Sequence, residues 1–117
     1  MMQLQVLPRE LARQSISQQE IVLPLDAVIA AIDYCANHGI RILGWEGWIQ
    51  SSDGRVGHGN APQGTTNLAH LTMVEAADFC RRTIRAAATA WSESCPGTTD
   101  RLYFCVTIDT TGAKTMP

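Results

Sequence analysis

Glu46 and His58 are the residues of this chain best suited to moving a proton. They lie in a stretch, Gly44 to Gly59, that also holds Trp45, Trp48, Asp53 and Arg55. A carboxylate held against an indole is disfavoured in its charged form and can serve as a general acid. A histidine across the hairpin would complete a proton-transfer pair if a nucleophile stood beside it. Ser51, Ser52 and Thr65 are hydroxyls within reach in sequence, yet none sits in a G-x-S-x-G turn. The same residues admit two other readings. Tryptophan and arginine are the side chains that interfaces favour, so the ribbon from Trp45 to His58 reads as a recognition edge. The indoles can also simply cover a core, one buried and the other at least partly exposed.

The remaining motifs carry less chemistry. Gly54, Gly57 and Gly59 resemble a glycine-rich loop but do not lead from a strand into a helix, so they lack the phosphate-cradling arrangement. Arg81, Arg82 and Arg85 fit the solvated face of a helix. Cys35, Cys80, Cys95 and Cys105 form no close pair, which argues against zinc and against a disulfide framework. Three of them fall on apolar phases and read as reduced core thiols, while Cys95 precedes Pro96 in a loop. No metal and no cofactor is expected.

The elements that position these residues follow from periodicity. Leu25, Val28, Ile29, Ile32, Cys35 and Ala36 recur at helical spacing between Pro24, suited to a first turn, and Gly39, suited to a left-handed stop. Arg41 to Gln50 reads as a strand in which Gly44 and Gly47 suggest a bulge or a close backbone approach. Along it Glu46 and Trp48 share one face and Trp45 takes the other. Ser52-Asp53-Gly54 supplies a hairpin turn, and Arg55 to Gly59 a short polar return strand. A second helix opens on the capping box Thr72-Met73-Val74-Glu75 and runs to Pro96-Gly97 with the stripe Met73, Ala76, Ala77, Cys80, Ile84, Ala87, Ala88 and Trp91. Leu102 to Asp109 is the strongest strand. Pro8 to Gln14 can make one helical turn, and Glu20 to Leu23 is a brief extended run.

These elements predict one α+β domain over residues 1–117, with two helices on one face of a three- or four-stranded antiparallel or mixed sheet. Residues 1–16 and 110–117 are expected to be less ordered. A net charge of −2 and a pI near 5.8 do not provide the basic face that nucleic acid requires. No apolar run is long enough to span a bilayer, and the first ten residues lack the pattern of a secretory signal, so a cytoplasmic protein is expected.

Two segments together carry a family resemblance. Gln19 to Asp33 forms an acidic and apolar lead into the first helix, and Gly39-Ile40-Arg41-Ile42-Leu43-Gly44-Trp45-Glu46 a glycine stop followed by strand. Over about residues 17–60 the chain resembles small immunity proteins of bacterial polymorphic-toxin systems. That resemblance implies a protein that is not an enzyme and that neutralises a cognate toxin by direct binding. Trp45, Glu46, Trp48, Asp53, Arg55 and His58 would form the contact surface, with the carboxylates facing basic groups. The alternative is a small ligand-binding domain or enzyme using Glu46 and His58 in a tryptophan-lined pocket. A homodimer pairing through the same unprotected edge is a third arrangement.

Overall fold

A computed structural model describes residues 3–65 and 67–111. The chain begins with a 3-10 turn, Gln3–Val6, and a one-turn helix α1, Arg9–Ala12. It continues through β1 (Ile21–Leu23), α2 (Leu25–Asn37), β2 (Ile42–Gln50), β3 (Val56–Gly57), α3 (Met73–Ser94) and β4 (Arg101–Ile108). Every strand pairing is antiparallel, in the order β1-β4-β2-β3. α2 and α3 pack on one face of this sheet and against each other.

Local sequence accounts for the helix ends. Pro24 is the residue before the first turn of α2 rather than within it. Its extended backbone (φ −67°, ψ 169°) launches the helix, and its missing N–H leaves nothing to satisfy. Gly39, at φ +70°, ends the same helix as expected. At α3 the Thr72 hydroxyl accepts from the Glu75 amide (3.0 Å), and the Thr72 amide donates to the Glu75 carboxylate (2.9 Å). Two amides with no partner inside the helix are thereby satisfied. Ala76, Ala77, Cys80 and Ile84 form the buried stripe of α3, facing Val28, Ala31, Ile32 and Cys35 of α2 in one core. On the solvent side, Arg81 Nε bridges to Asp33 Oδ1 at 2.6 Å and ties the two helices together.

The sheet completes this core with Ile21, Leu23, Ile42, Trp45, Phe104, Val106 and Ile108. Ile42 and Trp45 are an odd number of positions apart, so strict alternation would send them to opposite faces. A bulge between Ile42 and Gly44 resolves this. Ile42 lies opposite Ile108 and Gly44 opposite Thr107, leaving Leu43 as the extra residue, 41% exposed.

The N-terminal segment holds more structure than expected. Leu7 is buried, and Gln3 closes β4 where β1 has ended: its side-chain amide donates to Ile108 O and accepts from Ile108 N, both at 2.9 Å. Residues 112–117, within the expected less ordered tail, lie outside the described residues. The return strand is shorter than the sequence suggests, two residues instead of five, because only Val56 and Gly57 pair with β2.

Candidate functional site

Trp45 and Trp48 leave β2 on opposite sides. Trp45 points toward the helices and is 5% exposed. Its indole meets the edge of Phe104 (centroids 5.6 Å apart) and donates to the Thr83 hydroxyl of α3 at 2.9 Å, which in turn donates to Phe79 O. The expected contact role of its side chain is therefore corrected: Trp45 belongs to the core, its one polar atom satisfied inside the fold.

Trp48 lies on the other side of the sheet. It is part-buried, opposite Tyr103, and packs on a small second cluster of Val22, Tyr103 and Cys105. The indole N–H donates to Glu46 Oε2 at 3.0 Å, and the His58 ring meets the indole edge-on at 5.6 Å. His58 Nδ1 lies 3.3 Å from Gly47 O. A carbonyl only accepts, so in this contact Nδ1 is the donor. Three of the six candidate residues thus meet in one assembly, with the indole fixed between an exposed carboxylate and a histidine.

Asp53 and Arg55 lie at the hairpin tip and address one another. Arg55 Nε bridges to Asp53 Oδ2 at 2.9 Å, and Asp53 Oδ1 accepts from the Arg55 amide and the Ser51 hydroxyl. These bonds, led by the Ser51 hydroxyl, hold the Asp53 carboxyl below its ordinary range. Both side chains are well exposed, so the pair acts chiefly as a local turn lock.

A loop over residues 58–65 covers the outer edge of β2. Thr65 exchanges both backbone bonds with Trp45 at 2.9 Å, and Gly47 donates to Pro62 O at 2.9 Å. Two glycines permit this approach: a Cβ on Gly64 would lie 1.8 Å from Trp45 O, and one on Gly47 2.6 Å from Pro62 O. At the far side of the sheet Val22 is closed in the same manner, accepting from Ile16 N and donating to Ser15 Oγ. The expected pairing of two copies through the β2 edge therefore meets backbone groups that are already bonded.

Between the loop and β2 lies a cleft of about 350 Å³ lined by Glu46, Gly47, His58, Pro62 and their neighbours. Glu46 and His58 both border it. Their bonds go to Trp48 and to the Gly47 carbonyl, however, and not to one another. Among the described residues no group of three His, Cys, Asp or Glu is placed to hold a metal ion. No described helix is long and apolar enough to cross a membrane.

Against known proteins, the chain matches no family model, no curated protein and no solved structure.

Glu20 is the residue that sequence reasoning missed. Its carboxylate comes within 3.9 Å of the Cys105 thiol, on the same face as Glu46 and Trp48. Only an alternation count from Val22 back to Glu20 would have placed it there, and the strand formally ends between them.

Proposed function

We propose that this chain is an immunity protein: a cytoplasmic protein, not an enzyme, that binds a cognate bacterial toxin and blocks it by occlusion. The observation that carries this reading is Trp48. It stands on the sheet face away from the helices, its indole already held by Glu46 and His58. An aromatic anchor fixed before binding loses little rotamer freedom when a partner arrives. Leu43 and Val56, 41% and 42% exposed on the same strand pair, extend the surface on which a partner can settle.

The test is co-expression of the tagged protein with its flanking open reading frames, followed by purification and toxicity assays of whatever co-elutes. A stoichiometric partner that kills cells when expressed alone, and that Trp48→Ala no longer retains, is the expected result. A partner retained equally by Trp48→Ala would remove this face from the interface.

A second reading is favoured by the cleft beside Glu46 and His58, whose size suits a small polar ligand. A protein that elutes without a partner shifts the weight to that cleft, where His58→Ala would then abolish ligand binding.

A further inference from the structure

Residues 58–65 cross the outer edge of β2 without packing firmly on it. None of their side chains is buried. Two clefts flank them. One, of about 350 Å³, lies on the side of Glu46 and His58. The other, of about 310 Å³, lies toward the end of α3, bordered by Asn60 and Pro62 of the loop and by Ala87, Trp91 and Cys95 of the helix end. What holds the loop is polar. Thr65 and Trp45 exchange their backbone bonds, Pro62 O accepts from the Gly47 amide, and the Asn60 side-chain amide reaches the Cys95 thiol, a weak acceptor, at 3.4 Å. A further tie replaces one that the backbone cannot make. Pro62 has no N–H to return to the Gly47 carbonyl, and His58 Nδ1 supplies that donor at 3.3 Å. The Trp91 indole, which borders the second cleft, keeps a buried N–H without a partner among the described residues. Closure of the loop brings that group no bond.

We infer that residues 58–65 form a strap that opens as a unit while the sheet, α2 and α3 stay folded, with His58 as its catch. A segment without a buried side chain forfeits little apolar burial when it lifts, and water replaces the backbone bonds it gives up. Gly59 and Gly64, at φ +42° and +35°, stand near its two ends, where the backbone can turn with no Cβ to hinder it. Opening bares the N–H and C=O of Trp45 and Gly47, the unpaired row that makes a strand edge a template for pairing. His58 joins this edge to the open face, because the same ring that caps Gly47 meets the Trp48 indole. The strap opens in the free protein, whatever meets Trp48.

The test is amide hydrogen exchange on the intact protein labelled with nitrogen-15. Successive amides of β2 point to opposite edges, so one strand carries both probe and control. The amides of Trp45 and Gly47 donate to the strap, and that of Thr65 donates back to Trp45. Those of Glu46 and Trp48 face Cys105 and Tyr103 of β4. Trp45, Gly47 and Thr65 are expected to share one protection factor, at least roughly a hundredfold below that of Glu46 and Trp48. Their exchange is expected to be nearly insensitive to urea below the unfolding transition, because lifting the strap exposes little surface, whereas Glu46 and Trp48 follow the global slope. In His58→Ala the three strap amides should exchange at least roughly fivefold faster, with Glu46 and Trp48 unchanged. The assignment is overturned if the three amides share the protection and urea slope of Glu46 and Trp48, or if they exchange independently of one another. It is equally overturned if His58→Ala leaves the three as they were, or speeds Glu46 and Trp48 along with them.

Discussion

Trp45 and Trp48 are the same residue type on the same strand, and their surroundings differ in almost every respect. Trp45 packs among the core residues, with its N–H passed to a helix hydroxyl. Trp48 is part-buried on a cluster of three buried side chains, with its N–H passed to an exposed carboxylate. Both indoles are hydrogen-bonded, so bonding does not separate a structural tryptophan from an interface tryptophan. The difference lies in what holds the partner atom. Thr83 is fixed in α3 and bonded onward to the Phe79 carbonyl, whereas Glu46 reaches into solvent and can exchange its bond for one to an incoming protein.

Truncating each indole in turn should separate the two sites by stability. Trp45→Ala should lose about 3–5 kcal/mol of unfolding free energy in urea titrations, the scale for removing a large core aromatic. Trp48→Ala should lose about 1 kcal/mol, as expected of a part-exposed site, while abolishing partner retention. Equal losses would mean that both faces are core.

A loss of stability between those of the two indole truncations is expected where the loop seals the β2 edge. Gly64→Ala would force a Cβ against the Trp45 carbonyl, and should destabilise by about 1–3 kcal/mol. Gly57→Ala, in the return strand, has nothing within 4 Å of the added Cβ and should change thermal unfolding little. A silent Gly64→Ala would show that the loop yields without disturbing β2, and that the edge is less firmly closed than its bonds suggest.

The smallest effect belongs to the hairpin tip. Asp53 has a lowered folded-state pKa, so what its ionised form contributes is fully present above the unfolded value of 3.8. It fades as the pH falls through the lower folded value. The Arg55 amide resonance, which reports its bond to Asp53, should accordingly titrate with a midpoint below 3.8. The Trp48 indole signal should stay unaffected by that step, because the tip and the open face share no bond. Coupled titration of the two would join the tip to the site.

Much of this was legible from residue order. The opposite orientation of Trp45 and Trp48 follows from the two-residue period of a strand, which is a local property of L-residues in extended conformation. The capping box at Thr72 and the stop at Gly39 follow from backbone groups that need a partner within a few residues. Gly44 and Gly47 suggested a bulge or a close backbone approach, and the fold has a bulge between Ile42 and Gly44 and a close approach of Pro62 at Gly47.

Other features could not be read this way, for a physical reason they share. Period alone separates two faces but does not say which one the helices cover. That was decided by long-range packing of α2 and α3, with the bulge at Leu43 bringing Ile42 and Trp45 to the same side. The polar segment Arg13 to Glu20 has no periodicity that predicts a place. It is held by Ser15, whose side chain bonds Val22, Ser17 and Glu20, and this brings Glu20 to Cys105. Trp45 was a surface candidate by residue type and lies in the core, where Thr83, far along the chain, accepts its indole N–H. Local preference is written into neighbouring residues, whereas the choice of face and partner depends on contacts between segments that meet only when the chain is folded.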